Sequence, residues 1–85
     1  MPERKVTVES PIGLHARPAA AFAQTAAAAP FEVTVAKQGG EPVNAKSILS
    51  ILALDIRRGD TIVIRADGEG AENLLDRLAA IAAAS

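Results

Sequence analysis

The chain has 85 residues and a formal net charge of −1, and much of its 49% hydrophobic content is alanine. This length fits one small domain over residues 1–85, and the charge argues against a nucleic-acid-binding protein, which normally carries an excess of Lys and Arg. Without cysteine there is no disulfide framework and no thiolate zinc site, which suits a cytoplasmic location. No apolar run approaches the roughly 20 residues needed to span a bilayer, so we expect no membrane insertion.

Apolar alternation, helix-compatible runs and glycine turns predict elements in the order β-α-β-β-α-β-α. In chain order they are a strand over 4–9, a helix over 16–28, strands over 31–35 and 42–45, a helix over 46–54, a strand over 61–65 and a helix over 71–84. The apolar run Ile62-Val63-Ile64 indicates a central strand, whereas Pro42 indicates a sheet edge or a strand start. This order predicts a four-stranded sheet with helices on one face.

His15 is the only histidine, and it stands in the sequence GLHARP, residues 13–18, where the first helix begins. Pro18 is typical of a first helical turn, where its missing N–H costs nothing. Free N–H groups and the positive end of the helix dipole favour an anion there. Arg17 adds a permanent charge with a fork geometry suited to phosphate. We therefore predict a phosphate site at His15 and Arg17, although Arg17 by itself would more often be a solvated helix residue.

The second predicted helix carries a candidate N-cap, Ser47. Ile51 and Leu54 should face inward, which leaves three apolar residues of this helix facing solvent: Ile48, Leu49 and Leu52. An exposed apolar patch beside the histidine would be a docking surface. The alternative is that another helix covers these three residues and that they belong to the core.

Two segments, GLHARPA at residues 13–19 and VNAKSI at residues 43–48, resemble the active-site and serine signatures of HPr. HPr is the histidine-containing phosphocarrier family of the bacterial phosphoenolpyruvate:sugar phosphotransferase system, and the resemblance covers essentially the whole chain. It implies an α+β fold, an open-faced β-sandwich in which three helices cover one face of a four-stranded antiparallel sheet. It also implies a monomeric phosphoryl carrier that is not an enzyme and needs no cofactor.

The resemblance also implies roles for individual residues. His15 would accept a phosphoryl group at Nδ1 from enzyme I and pass it to a histidine of a sugar-specific IIA domain, with Arg17 stabilising the phosphate. Ser47 would be phosphorylated by the HPr kinase/phosphorylase, which brings in a transcription regulator as a further partner. The predicted partner-binding residues are Leu14, Ala16, Ala20, Ile48, Leu49 and Leu52.

The chain departs from the family pattern at three places. Ile12 stands where many members carry a small polar residue that helps to order the active-site loop. Asp55 stands where the family usually has glycine, so the second helix could close differently. One extra residue falls between positions 26 and 30. These departures concern loop detail rather than the chemistry of His15.

Other functions stay open at this point. The chain could be a regulatory paralogue, either of a nitrogen-related phosphotransferase branch or as an effector of a transcription factor, and it could be a plain structural α/β module. His15 counts against a regulatory relative that lacks the acceptor, while the intact segment 46–48 favours a protein with both roles. With one histidine, no cysteine and no tight carboxylate cluster, we expect no metal site.

Overall fold

The computed structural model describes residues 2–84 as four strands and three helices in the predicted order. They are β1 (Glu3–Thr7), α1 (Ala16–Ala27), β2 (Val33–Lys37), β3 (Val43–Asn44), α2 (Ile48–Ala53), β4 (Thr61–Ala66) and α3 (Ala71–Ala84). The type of every element was predicted correctly, and the ends differ by at most two residues. No helix within residues 2–84 is long and apolar enough to cross a membrane.

The strands form one antiparallel sheet in the order β1-β4-β2-β3. β4 lies between β1 and β2, as its apolar run predicted, and β3 is the edge strand that Pro42 indicated. The register pairs Val6 with Ile62 and Val35 with Ile64. Because side chains alternate along a strand, this register turns the aliphatic residues of neighbouring strands to the same face.

The hydrophobic core lies between that face and the helices. Its largest fully buried members come from the sheet, from the residue after β1 and from all three helices: Val33, Val35, Ile62, Ile64, Val8, Phe22, Ile51, Leu75 and Leu78. Burial of each such side chain contributes about 1.5–3 kcal/mol relative to exposure. The opposite face of the sheet carries polar pairs, including an ion pair of 2.9 Å between Arg65 and Glu3.

The short helix α2 packs on α1 and β3, with Ile51 buried as predicted. Leu54 is half-buried against the core. Ile48, which was expected to face solvent, is also half-buried, because it packs against the core; it lines a shallow groove with Ala20 and Ala23 of α1. The prediction for Ile48 was therefore wrong in part.

α2 ends with a residue in the left-handed conformation. Leu54 is its C-cap, and the following residue, Asp55, has φ +52°. Aspartate tolerates this region better than most non-glycine residues. Asp55 thus adopts the left-handed turn that glycine would adopt most easily, and α2 closes without a glycine.

Candidate functional site

His15 is the N-cap residue of α1. Its backbone is extended (φ −93°, ψ −173°), and its carbonyl accepts the first helical hydrogen bond, from Ala19 N–H at 3.0 Å. The exposed imidazole makes no capping bond, and its Nδ1 lies 3.4 Å from the Gly13 carbonyl oxygen. A contact of that length is weaker than an ordinary hydrogen bond. The ring is therefore accessible at the start of the helix.

The first turn of α1 has unused hydrogen-bond donors. Within residues 2–84, the N–H groups of Ala16 and Arg17 have no carbonyl partner, and Pro18 has no N–H. These donors lie at the positive end of a 12-residue helix. An anion held by the His15 ring at this helix end would meet free N–H groups and a favourable dipole.

The loop before His15 is fixed to the segment that follows α2. Leu14 N–H donates to the Ile56 carbonyl oxygen at 3.1 Å. Gly13 has φ +71°, and a Cβ there would overlap the Ile56 oxygen and lie 2.8 Å from Arg57 Cα. Only glycine allows the two backbones to approach this closely. His15 is therefore positioned by α1 on one side and by residues 56–57 on the other.

Three arginines belong to this region, and they differ in their partners. Arg57 donates to the Asp55 carboxylate from Nε at 3.0 Å and from Nη2 at 2.8 Å. This hydrogen-bonded guanidinium is the main reason why the pKa of Asp55 lies below its ordinary value. The side chains of Arg17 and Arg58 are exposed and have no ion pair or hydrogen bond within the described part of the chain. Both are free to bind an anion.

A shallow depression borders His15 and brings together the loop before α1 and the segment after α2. Its wall includes Ile12, Leu52 and Arg58. Ile12 is 68% exposed and Leu52 is 38% exposed. Sequence reasoning treated Arg58 as part of a solvated turn and Ile12 as a loop departure. No local signal places them beside His15, because the two segments meet only in the folded chain.

The predicted partner-binding residues divide into an accessible group and one buried residue. The accessible group surrounds the start of α1 and one side of α2, and we call it the docking patch: Ala16, Ala20, Ile48, Leu49 and Leu52. Among its three large apolar side chains, Leu49 is the most exposed, at 77%. Leu14 is 5% exposed and belongs to the core, so its predicted place on the surface needs correction. Its role is to anchor the His15 loop.

Ser47 caps α2 as predicted. Its Oγ accepts a hydrogen bond from Ser50 N–H at 3.2 Å. The preceding residue, Lys46, donates from Nζ to the Ala29 carbonyl oxygen at 2.8 Å, just beyond the end of α1. The start of α2 is thus tied to the end of α1, and Ser47 directly precedes Ile48 of the docking patch.

The carboxylates and the histidine of this site do not form a metal centre. Within residues 2–84, no group of three or more His, Asp or Glu side chains could hold a metal ion. The chemistry available at the site is that of one imidazole, free N–H donors and guanidinium groups.

Comparison with known proteins assigns the family. The family model described as the PTS HPr component phosphorylation site matches residues 2–84. The chain is 49% identical to the phosphocarrier protein HPr of Streptomyces coelicolor over 83 residues, which cover 98% of this chain and 89% of the relative.

Solved structures agree. The phosphocarrier protein HPr of Bacillus anthracis superposes with a TM-score of 0.85 at 41% identity and 95% coverage of both chains. Crh, a catabolite repression protein of Bacillus subtilis described as a domain-swapped dimer, gives a TM-score of 0.72 at 39% identity, with 96% of this chain and 93% of Crh covered. With the α+β fold and a histidine at the helix start, these matches show that the chain belongs to the HPr family of phosphocarrier proteins of the phosphotransferase system.

Proposed function

We propose that His15 carries a phosphoryl group from enzyme I to a sugar-specific IIA domain. The observation that carries this proposal is the exposed His15 ring at the start of α1, next to two free N–H groups and the unpaired Arg17. Family membership supports the same role. The chain acts as a carrier within a transferase system and needs no cofactor, and we place it in the cytoplasm with its partners.

The proposed transfer needs only a positioned imidazole and groups that stabilise the phosphoryl charge. The P–N bond to the donor histidine breaks while a P–N bond to Nδ1 of His15 forms, and the phosphoryl group leaves His15 by the same kind of exchange. Phosphoryl transfer depends mainly on positioning and charge stabilisation. The dianionic group would gain from the guanidinium of Arg17 and from the N–H groups of the first helical turn. Because Arg17 is exposed, its stabilisation is screened by water and stays modest, as a carrier requires.

The docking patch would receive both protein partners. It combines exposed apolar side chains, chiefly Leu49 and Leu52, with a position beside His15. Each partner must bring its own histidine to His15, so both would cover this surface. We propose no contact with nucleic acid.

The first experiment combines the protein with enzyme I and phosphoenolpyruvate and maps any acid-labile, base-stable phosphate. We expect one phosphate on His15 and none in the His15→Ala variant. An active enzyme I that leaves His15 unlabelled would contradict the proposal. Transfer of the label to a IIA domain tests the second half of the cycle.

Ser47 is the proposed regulatory site, as a substrate of the HPr kinase/phosphorylase. A phosphate there would place negative charge at the start of α2, where the helix dipole favours it, so the fold would stay intact. The same charge would lie beside the docking patch and repel acidic partner groups. We expect Ser47→Asp to slow phosphorylation by enzyme I without unfolding the protein. Unchanged transfer rates, with circular dichroism showing a native fold, would refute this role.

Similarity to Crh, a catabolite repression protein, favours a second candidate function. The chain would then act as a regulator that binds a transcription factor when Ser47 is phosphorylated, or as a carrier of a nitrogen-related branch. The labelling experiment separates the regulator from a carrier, because only a carrier passes the phosphoryl group from His15 to a IIA domain. The identity of the IIA domain that accepts the label, sugar-specific or nitrogen-related, separates the two kinds of carrier. We propose a monomer, and light scattering tests this against the dimeric state described for Crh.

A further inference from the structure

We propose that the depression bordered by His15, Ile12, Leu52 and Arg58 is a docking subsite, the Ile12 subsite. It would receive an apolar side chain flanked by a carboxylate on any partner that exchanges a phosphoryl group with His15. The inference rests on the proposed function, since it concerns the partners of that exchange. It adds to the docking patch two residues, Ile12 and Arg58, that lie outside α1 and α2.

Apolar side chains are exposed at the depression beside His15. Within residues 2–84, the large hydrophobic residues that stay exposed are Ile12, Leu49 and Leu52. Two of these three, Ile12 and Leu52, line the depression beside His15. Ile12 lies in a turn closed by a 3.0 Å hydrogen bond from Gly13 N–H to the Ser10 carbonyl oxygen, and the fold gains little from its side chain. Exposed apolar groups concentrated at one site indicate a binding surface.

The depression carries one guanidinium group that has no carboxylate partner within the described residues. The depression also contains Asp55 and Arg57, but their guanidinium and carboxylate groups neutralise each other in an ion pair of 2.8 Å. Arg58 has no such partner within the described residues. Arg17, on α1, is placed to bind the phosphoryl group, so Arg58 is the remaining free cation at the depression. It is complementary to a carboxylate of the partner.

The Ile12 subsite is continuous with the docking patch. Leu52 belongs both to the docking patch and to the wall of the depression. A partner that contacts Leu52 and brings a histidine to His15 must therefore also cover the space beside Ile12. A small polar side chain at position 12 would offer such a partner no apolar contact. The chain would thus favour partners that carry a matching apolar residue.

The test measures phosphorylation of His15 by enzyme I of the same bacterium over a range of acceptor concentrations. We expect Ile12→Ser to raise KM for the acceptor about tenfold with little change in kcat, because an apolar contact of docking is lost. We expect Arg58→Ser to raise KM a few-fold at low salt and less at high salt, because salt screens exposed charge pairs. The effect of Ile12→Ser should persist at high salt.

Two comparisons make the result specific. Phosphoramidate is a small donor that needs no docking, so its rate of reaction reports the reactivity of His15 itself. We expect Ile12→Ser to slow phosphorylation of His15 by enzyme I and to leave phosphorylation by phosphoramidate unchanged. The matched control is Arg77→Ser on α3, an exposed arginine that lines no part of the depression.

The outcomes separate the two proposals. If Ile12→Ser and Arg77→Ser give the same KM while the wild-type chain is labelled at His15, the Ile12 subsite is wrong and the proposed function stands. If Ile12→Ser slows phosphorylation by phosphoramidate and by enzyme I equally, the subsite is also wrong, because the substitution would then have altered the His15 loop itself. A wild-type chain that only phosphoramidate labels would overturn the proposed function itself.

Discussion

Gly13 and Asp55 hold left-handed backbone conformations on the two segments that meet beside His15, with φ +71° and φ +52°. For Gly13 the cause is a close approach, since its backbone lies too near to Ile56 and Arg57 to leave room for a Cβ atom. For Asp55 the cause is the end of α2, and no Cβ clash is involved. We therefore expect substitutions at these two residues to change the free energy of unfolding by different amounts.

Gly13→Ala should lower the free energy of unfolding by about 3 kcal/mol, because it adds overlap with residues 56–57 to the strain of a left-handed alanine. Gly39→Ala is the matched control. It has φ +83° and nothing within 4 Å of the added Cβ, so about 1 kcal/mol of backbone strain is expected alone. Urea unfolding of both variants measures the difference. If the free energy of unfolding falls equally in both variants, the close approach of residue 13 to Ile56 does not contribute to the effect of the substitution.

Asp55→Gly and Asp55→Ala remove the same carboxylate and the same ion pair with Arg57. They differ in backbone strain, because the left-handed conformation is strained for alanine and not for glycine. We expect the glycine variant to be more stable by about 1 kcal/mol in urea unfolding. A more stable alanine variant would mean that residue 55 leaves the left-handed region in solution.

Among the elements, α2 depends most on its cap. It has six residues, too few to be stable without packing and capping. Ser47 supplies the cap, Ile51 the buried contact, and Lys46 ties the helix start to the end of α1. The residue proposed for regulation is therefore also a structural residue.

Ser47→Ala should lower the free energy of unfolding by about 1 kcal/mol, because Ser50 N–H loses its acceptor. In a domain of this size that corresponds to a fall in Tm of about 5 °C. Ser47→Asp retains an acceptor and should keep most of the stability. Ser50→Ala, which leaves the Ser50 N–H in place, is the control for thermal unfolding. A Tm for Ser47→Ala equal to that of the control would contradict the cap.

For the whole molecule, the contacts of Asp60 join the turn before β4 to β2. The Asp60 carboxylate accepts a hydrogen bond from Arg57 N–H at 2.8 Å and lies 3.2 Å from Nζ of Lys37 on β2. These contacts, the bond from Arg57 N–H first, hold the pKa of Asp60 below its ordinary value of 3.8. Arg57 likewise lowers the pKa of Asp55.

This charge pattern predicts acid sensitivity. When the pKa of a carboxyl group is lower in the folded state than in the unfolded state, its stabilising contribution is present above the unfolded pKa, and it is lost as the pH falls through the folded pKa. The free energy of unfolding should therefore decline as the pH falls below about 4. Urea unfolding between pH 7 and pH 2 measures the decline.

Asp60→Asn should make this acid decline shallower, since the substituted side chain cannot titrate. The matched control is Asp67→Asn, because Asp67 forms no ion pair or hydrogen bond within residues 2–84. If the free energy of unfolding depends on pH in the same way in both variants, the contacts of Asp60 do not stabilise the fold.

Local patterns were sufficient for the elements and for the centre of the site. Strand alternation and helix-compatible runs depend on neighbours along the chain, so all the elements and the central position of β4 followed from them. The same holds for the placement of His15 at a helix start and for the cap at Ser47. Each of these depends on residues within one helical turn.

Contacts between distant segments could not be predicted in this way. The burial of Leu14, the half-buried position of Ile48 and the depression shared by Ile12 and Arg58 depend on how α1, α2 and the loops meet. The sequence by itself determined which segments are helix or strand, and it identified the side chain that we propose as the phosphoryl acceptor. Only the tertiary structure decided which neighbours surround His15, because exposure is set by packing between residues far apart in the chain.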